Sequence, residues 1–262
     1  MRNSICVDIA LSHHEVPLRI KDIHRLRGAD PGDIFCGLID ILRATSTIVT
    51  ALGNCCLAVH PHSSPQAALD SAKILRQEHG YANVLLGGEQ NAKPIPGFDG
   101  GNSPLEYTHD RIGGRRLVLS TSNGTKTLAA VSKCGRVFIA AFSNLTAVAQ
   151  KLAEEAGRHE NPAILIACSG REGGYCEEDT AAAGLIIAKV RHLLGKIELS
   201  DSARAAVRTA EHVGWDIAET LRNCTWGKHL ARHGLGPDIE FCAKTDWTKA
   251  VPEMIDGVIE QS

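Results

Sequence analysis

The sequence is short of aromatic residues and of clustered positive charge. Aromatic side chains make up 4% of the 262 residues, and 28 Lys and Arg against 30 Asp and Glu leave a net charge of -2. Because no Lys- or Arg-rich segment is present, we expect neither a nucleic-acid partner nor an anionic membrane surface. No apolar run of about 18 residues occurs, so we expect no membrane-spanning helix. Few aromatics with abundant Ala and Gly favour an α/β fold over an aromatic-rich β-sandwich.

Several common catalytic and ligand-binding motifs are also missing. The sequence has no GxxxxGK[ST], which excludes a P-loop, and no GxGxxG after a strand, which excludes the usual dinucleotide fingerprint. It has no GxSxG nucleophile elbow. His60 and His62 have no CxxC or HExxH motif beside them, so we do not expect a zinc site. Any phosphate must therefore be held by several turns together.

The nine Cys are an odd number, and most lie inside apolar runs. The first 20 residues are broken by charges and by His13 and His14, so we expect no signal peptide. Reduced, buried thiols in a cytoplasmic protein are the simplest interpretation. The sequence leaves the oligomeric state open, with a homodimer as one alternative.

Strand-like runs alternate with helix-like stripes along the chain. This alternation predicts βαβ units and an α/β fold with mainly parallel sheets flanked by helices. The predicted strands are residues 34–42, 58–60, 84–86, 116–120, 137–140 and 163–167, with a further short strand at 239–242.

Several helix boundaries follow from local signals. Ser64 followed by Pro65 predicts a helix that ends near Gly80. The spacing of Ser103 and Glu106 predicts a capping box that opens another helix. Further helices are expected over residues 201–213 and 216–233.

A faint repeat relates two parts of the chain at an offset of 79 residues. The string RATSTIVTALGNC, ending at Cys55, aligns with SNGTKTLAAVSKC, ending at Cys134. This predicts two similar α/β halves from an internal duplication, although chance similarity between βαβ units is the alternative. The halves would be residues 1–110, with a Gly- and Pro-rich connecting loop, and residues 111–262, with a helical C-terminal extension.

Polar or Gly-rich segments follow four of the predicted strands. Ligands bind at the carboxyl ends of parallel strands, where helix N-termini favour anions. Hydroxyls, Arg and free N–H groups suit a phosphate, and carboxylates suit Mg²⁺. The residues are Asp40, Arg43, Thr45, Ser46 and Thr47; Glu89; Ser122, Asn123, Gly124 and Thr125; and Ser169, Gly170, Arg171 and Glu172.

Most of these residues also have a purely structural interpretation. The hydroxyls at 45–47 could simply cap a helix, and Arg43 could be the salt-bridge partner of Asp40. Glu178 and Asp179 open a predicted helix, where acids are favourable in any protein. Asp40 is harder to explain, because a carboxylate at the end of an apolar run must be paired or bind a metal.

Five motifs occur in an order that resembles one known family. The strings IDILRATSTIVTAL, LLGGEQN, GFDGGNSPLEYT, LVLSTSNGTKTL and ACSGREGGYCEEDTAAAG resemble the 2-phosphosulfolactate phosphatase family, and the resemblance continues through GLGPDIEFCAKTDWTKAVP. It implies a Mg²⁺-dependent phosphatase of coenzyme M biosynthesis that hydrolyses 2-phospho-3-sulfolactate to 3-sulfolactate and phosphate. It also implies a fold with two similar halves. Gln90 stands where the family more often has Arg, so another phosphorylated 2-hydroxy acid is an alternative substrate.

On this basis we assign hypothetical roles. Asp40, Glu89 and one of Glu178 or Asp179 would hold Mg²⁺. Attack would come from a water held by the metal, or from Asp40 as a nucleophile, and we favour water. A phospho-ligand-binding protein without catalysis is the rival class, but a pure anion binder would not place acids beside its ligand. The expected catalytic residues are Asp40, Arg43, Glu89 and Glu172, and the expected substrate-binding residues are Thr45, Ser46, Asn102, Ser103, Ser122, Asn123, Gly124, Thr125, Ser169, Gly170 and Arg171.

Overall fold

The computed structural model describes residues 4–121, 124–214 and 216–262, and it describes no side chains at 124 and 125. The predicted α/β class is confirmed. The strands are β1 (Ile5–Ala10), β2 (Ile34–Ile39), β3 (Ala58–His62), β4 (Val84–Gln90), β5 (Lys93–Pro94), β6 (Arg116–Ser120), β7 (Arg136–Ala140), β8 (Ala163–Cys168), β9 (Ile197–Leu199), β10 (Pro252–Ile255) and β11 (Val258–Gln261). The helices are α1 (Val16–Arg27), α2 (Ala44–Gly53), α3 (Pro65–His79), α4 (His109–Ile112), α5 (Gly124–Ala130), α6 (Leu145–Arg158), α7 (Glu177–Leu194), α8 (Asp201–Val213), α9 (Ile217–Asn223), α10 (Thr225–Arg232) and α11 (Gly236–Cys242).

All of these strands belong to one sheet, in the order β5-β4-β6-β3-β11-β10-β7-β2-β8-β1-β9. The ladders within β4-β6-β3 and within β7-β2-β8-β1-β9 are parallel. An antiparallel hairpin, β10–β11, lies between these two groups and pairs with β7 on one side and β3 on the other. The sheet is therefore mainly parallel, as the alternation of strands and helices predicted.

The most apolar strands lie in the interior of the sheet. All six residues of β2 and all six of β8 are buried. Strands covered by helices on both faces consist of nearly continuous apolar residues, which is why these two runs carried no polar alternation. The main core surrounds them, and a smaller apolar cluster lies where α3 packs on β4 and β6. Polar residues begin where these strands end, and that edge carries the candidate site.

Two helix predictions are confirmed in detail. Helix α3 begins at Pro65, the Ser64 hydroxyl accepts the N–H of Ala67 at 3.2 Å, and the helix ends at His79 before Gly80. Helix α8 spans residues 201–213 as predicted, and the hydroxyl of Ser200 caps it. Both helices carry a side-chain oxygen that satisfies a free N–H of the first turn, and for α3 that residue, Ser64, was the signal used in the sequence.

Two other assignments near the C-terminus were wrong. The helix predicted over residues 216–233 is broken into α9 and α10 because Cys224 adopts an extended conformation and its sulfur accepts the N–H of Gly227. Residues 239–242, predicted as a strand, belong to helix α11. Pro237 in its first turn has a backbone angle suited to a helix start, so this helix could have been recognised.

The strand predicted over residues 34–42 ends at Ile39.

The capping box predicted at Ser103 does not form. Residues Pro104–Glu106 make a single 3-10 turn without a side-chain cap. The Ser103 hydroxyl donates instead to Asp238 Oδ1 at 2.7 Å, and the Glu106 carboxylate accepts the N–H of Gly101. Tertiary partners have thus replaced the local cap.

The offset of 79 residues is visible in the order of elements. The series β2-α2-β3-α3-β4 and β6-α5-β7-α6-β8 correspond one to one along the chain. In the sheet the first strand of each series lies with the other series, because β2 sits between β7 and β8 while β6 sits between β3 and β4. Duplication as the origin of this arrangement, and the division near residue 110, stay predictions.

The nine cysteines are free, and six of them are buried, in agreement with the expectation of buried thiols. Among the described residues, no helix is long and apolar enough to cross a membrane.

Candidate active site

Three acidic side chains meet at the carboxyl end of the sheet. Asp40 follows β2, while Glu178 and Asp179 lie in the first turn of α7. They line a small cavity of about 20 Å³, which is room for about one water molecule. The other lining residues are Leu42, Gly170, Arg171, Cys176 and Trp226.

Asp179 joins the two loops that carry the site. Its Oδ1 accepts the N–H of Ile41 at 2.9 Å, and its Oδ2 accepts the N–H of Gly170 at 3.2 Å. The loop after β2 and the loop after β8 are therefore held by one buried carboxyl group. Burial, followed by the charges of Glu178 and Asp40, raises the pKa of Asp179 well above its usual value.

Asp40 titrates near neutrality in this environment. Burial is the largest cause that raises its pKa, and the charges of Glu89 and Glu178 add to it. The N–H of Ala44, 3.3 Å from Oδ1, and the charge of Arg43 act in the opposite direction, and the resulting pKa is about 7. A buried carboxylate with other acids beside it holds its proton more tightly, because desolvation and like charge both disfavour the anion.

Glu178 is enclosed together with two thiols. Its side chain is buried, and burial raises its pKa. Burial also raises the pKa of Cys176, and it raises that of Cys224 to about 12, so both thiols stay protonated. The cavity therefore offers carboxylate oxygens rather than thiolates to a ligand. Among the described residues, no three His, Cys, Asp or Glu side chains are already close enough together to form a metal-binding group.

The hydroxyls of Thr45 and Ser46 hold the turn that carries Asp40. Thr45 Oγ1 donates to the carbonyl of Asp40 at 2.9 Å and accepts its N–H at 3.0 Å. Ser46 Oγ donates to the carbonyl of Ile41 at 2.7 Å. They bond the preceding turn rather than capping the free N–H groups of α2, where the structure has no side-chain cap. Their contribution is to fix the backbone on either side of the Asp40 side chain.

Arg43 is buried and paired, but its partner is not Asp40. Its Nη1 lies 2.6 Å from Asp238 Oδ2, with both side chains about 96% buried. The other oxygen of Asp238 accepts the hydroxyl of Ser103, so Asp238 connects α11 to the β2–α2 turn and to the Gly-rich loop. Arg43 affects Asp40 through its charge and is not among the residues that line the cavity.

The remaining predicted residues lie at different distances from the cavity. Glu89, at the end of β4, is near enough to raise the pKa of Asp40, and its Oε2 accepts the N–H of Ala92 at 2.6 Å. Arg171 lines the cavity. Glu172 follows it at positive φ, with its side chain 84% exposed and outside the cavity lining.

Ser169 and Asn102 are both buried. The Ser169 hydroxyl accepts a hydrogen bond from Thr127 at 2.9 Å, and Ser169 is fully shielded from solvent. Asn102 Oδ1 is a buried oxygen without a hydrogen-bond partner among the described residues. Ser122 and Asn123 lie outside the described residues, as do the side chains of Gly124 and Thr125, so this part of the predicted phosphate site stays a prediction.

Four residues at or beside the cavity were not predicted as site residues, namely Leu42, Cys176, Trp226 and Asp238. Asp238 was hidden because residues 239–242 were assigned to a strand, and Trp226 was hidden inside one long predicted helix. A proline in the first turn of α11 was a usable signal for Asp238. No comparable local signal pointed to Trp226. Its ring lies against the guanidinium of Arg171, which is 55 positions earlier in the chain.

The fold and the site together define an α/β protein with an acid-lined cavity at the carboxyl ends of parallel strands. The model of the 2-phosphosulpholactate phosphatase family matches residues 26–257. The chain is 37% identical over 221 residues to probable 2-phosphosulfolactate phosphatases of Thermotoga petrophila and Thermotoga maritima, covering 84% of this chain and 89% of each relative. It is 36% identical over 225 residues to one from Clostridium acetobutylicum, covering 85% and 90%. The chain therefore belongs to the 2-phosphosulfolactate phosphatase family, as its ordered motifs predicted.

Proposed function

We propose that this protein is a Mg²⁺-dependent phosphatase that hydrolyses 2-phospho-3-sulfolactate to 3-sulfolactate and phosphate. The observation that supports it best is the group of Asp40, Glu178 and Asp179 in one cavity, with no ion pair to any of them among the described residues. Family membership and the names of the relatives supply the reaction and the substrate. A place in coenzyme M biosynthesis, a cytoplasmic location and a homodimer stay predictions.

The donor set of the cavity fits Mg²⁺. This ion prefers oxygen ligands and usually keeps several waters, so one or two protein carboxylates and a substrate phosphate are enough to bind it. Because the described residues contain no group of three acids, His or Cys close enough to hold a metal alone, waters and the substrate phosphate would supply the remaining ligands. We assign Asp40 and one of Glu178 or Asp179 as ligands, with Glu89 as a third candidate. The chemistry supplied by bound Mg²⁺ is neutralisation of the charge on the phosphoryl oxygens.

The protein's own residues position the reactants. The Thr45 and Ser46 hydroxyls and the Asp179 carboxyl fix the backbone on both sides of Asp40. Without a cation the pKa of Asp40 is about 7, and Mg²⁺ held by Asp40 would favour its carboxylate form. Attack by water is our preferred route, and attack by the Asp40 carboxylate is the alternative. Arg171, at the cavity wall, supplies positive charge toward the substrate.

Phosphate release provides the test. Purified protein should release phosphate from 2-phospho-3-sulfolactate with Mg²⁺, and EDTA should remove the activity. Phospholactate and other 2-phospho-hydroxy acids in the same assay identify a broader substrate class. Asp40→Asn should abolish turnover, whereas Glu177→Gln, a neutralised acid that is exposed beside Glu178, should stay near wild type. No release from any member of the panel would contradict the proposal, and full activity in EDTA would contradict the metal requirement.

A further inference from the structure

Arg171 is a cation at the cavity wall whose charge lowers the pKa of Glu178 without forming an ion pair with it among the described residues. Its one ion pair among the described residues is a 3.9 Å contact with Glu172, whose side chain is 84% exposed. An exposed pair at that distance contributes little. Arg43, by contrast, is held 2.6 Å from a buried carboxylate. The Arg171 side chain is 35% exposed, so its guanidinium is accessible to an anion that approaches the cavity from solvent.

The backbone of Arg171 is fixed by a tight turn. Arg171 and Gly174 exchange two hydrogen bonds, with the N–H of Gly174 2.7 Å from the carbonyl of Arg171. The turn needs Gly170 at positive φ, where a Cβ would lie 2.2 Å from the carbonyl oxygen of Gly174. A fixed backbone leaves only the long Arg side chain to be positioned.

Trp226 supplies that second constraint. The guanidinium carbon of Arg171 lies 4.1 Å from the centre of a Trp226 ring, and Trp226 also lines the cavity. Such a stack attracts a cation and restricts its rotation. Trp226 is itself stacked on His229 at 4.3 Å and 7°.

The corner between α9 and α10 holds Trp226 at this place. A Cβ on Gly227 would lie 1.7 Å from the carbonyl oxygen of Leu221, so only glycine permits the two helices to approach this closely. The Gly227 N–H also bonds the sulfur of Cys224. The position of the Trp226 ring is thus set by the fold rather than by contact with a substrate.

We infer that the Arg171–Trp226 pair determines substrate specificity: Arg171 binds the sulfonate of the substrate, and Trp226 is the positioning residue that orients its guanidinium. This inference rests on the proposed function. A guanidinium is weakly hydrated, and it binds oxyanions through several N–H groups in a fixed geometry. The acids of the same cavity would repel the sulfonate elsewhere, and among the described residues that line the cavity Arg171 is the one cation.

A double-mutant cycle with two substrates tests the inference. The substrates are 2-phospho-3-sulfolactate and 2-phospholactate, which has a methyl group in place of the sulfomethyl group. We expect Arg171→Gln to reduce the preference for the sulfonate, measured as the ratio of kcat/KM values, by about 10- to 100-fold, the effect of one charge-assisted contact. Trp226→Leu should reduce it by a smaller factor, mainly through KM, and should have almost no further effect in the Arg171→Gln background.

The controls separate specificity from folding. Trp247→Leu removes another partly exposed tryptophan, which packs edge-on against Phe241, and should leave the ratio unchanged. Arg171→Lys retains charge without the planar group and should give an intermediate ratio. Equal losses on both substrates in Arg171→Gln would show that Arg171 binds a group the two share and would overturn the inference. A Trp226→Leu effect that persists without Arg171 would do the same.

Failure of the proposed function would look different. If wild-type protein hydrolysed neither substrate, that result would contradict the proposed phosphatase function. The inference would then be tested by calorimetry, which compares the affinities of wild-type protein and the same variants for 3-sulfolactate and for lactate. Preferential binding of 3-sulfolactate that disappears in Arg171→Gln would support it, and equal binding of both compounds by wild-type protein would overturn it.

Discussion

Two groups of buried acids in this protein have opposite electrostatic environments. The first, called here the paired cluster, consists of Arg136, Glu155 and Glu253. Arg136 Nε donates to Glu253 at 2.6 Å, and its Nη1 lies 2.6 Å from Glu155, which Lys151 also approaches at 3.5 Å. Burial raises the pKa of Glu155, but the hydrogen bond and charge of Arg136 outweigh it, and the resulting pKa lies below the usual value.

The second group, called here the acid cavity, consists of Asp40, Glu178 and Asp179. These three acids have no ion pair among the described residues; Arg43 and Arg171 lower the pKa values of Asp40 and Glu178, but burial outweighs them and all three pKa values are raised. Arg136 therefore neutralises the acids of the paired cluster, whereas the acids of the acid cavity bind protons more tightly than usual. Buried carboxylates that the protein leaves unpaired are costly unless something from outside neutralises them. The difference separates acids that are ion-paired within the fold from the acids that we propose as metal ligands.

The largest expected effect is on turnover in Asp40→Asn. Loss of the carboxylate should reduce kcat by about 1,000-fold or more, since removal of a group that acts in the transition state is worth several kcal/mol. Glu253→Gln, in the paired cluster, should keep kcat within a few-fold of wild type once folded protein is selected. Steady-state phosphate release with Mg²⁺ measures kcat for both variants. Near-wild-type turnover in Asp40→Asn would show that the acid cavity is no more important for catalysis than the paired cluster.

The next effect is on stability, in the paired cluster. Arg136→Met leaves Glu155 and Glu253 buried without their main cation, and removal of one partner from a buried ion pair typically costs about 3–5 kcal/mol. Urea unfolding followed by circular dichroism should show this loss. Arg222→Met, which breaks an exposed pair with Glu240, serves as the control and should change stability by less than about 1 kcal/mol.

A third expectation concerns the pH dependence of unfolding. Between about pH 4 and pH 7 the folded protein keeps a proton on Asp40 that the unfolded chain has lost, so stability should fall as pH rises through this window. The loss should be on the order of 2–4 kcal/mol without divalent metal. Unfolding in EDTA at pH 5 and pH 8 measures it, and Mg²⁺ should restore stability at pH 8. An identical pH dependence in Asp40→Asn would show that Asp40 is not responsible.

The smallest effect is expected for Glu172. Its exposed carboxylate is screened by solvent and does not line the cavity, so Glu172→Gln should change kcat/KM by less than about two-fold. Glu172 was a catalytic candidate from the sequence. The variant distinguishes a catalytic role from a purely structural role in the turn. A ten-fold loss in kcat would show that Glu172 takes part in catalysis and belongs to the same functional group of acids as Asp40.

The sequence predicted Asp40 because an acid at the end of an apolar run is a local contradiction. The same local view could not supply the partner of Arg43, which lies 195 positions away in α11. Ser103 illustrates the limit, because a valid local cap signal was overridden by a tertiary bond to Asp238. Local signals thus located the polar turn after β2, although the predicted end of the strand was three residues too late, while the pairing of side chains between distant segments required the three-dimensional structure.

The position of β2 in the sheet has a consequence for biosynthesis. Its ladder partners, β7 and β8, begin about 100 and 130 residues later in the chain. At about 5–20 residues per second, the ribosome needs about 5–20 s to make β7. During that interval a six-residue, wholly apolar strand has no ladder partner, and the Asp40 turn has no Asp179 to hold it. We therefore expect nascent chains stalled before residue 136 to bind chaperones through residues 34–39, and longer chains that include β8 to release them.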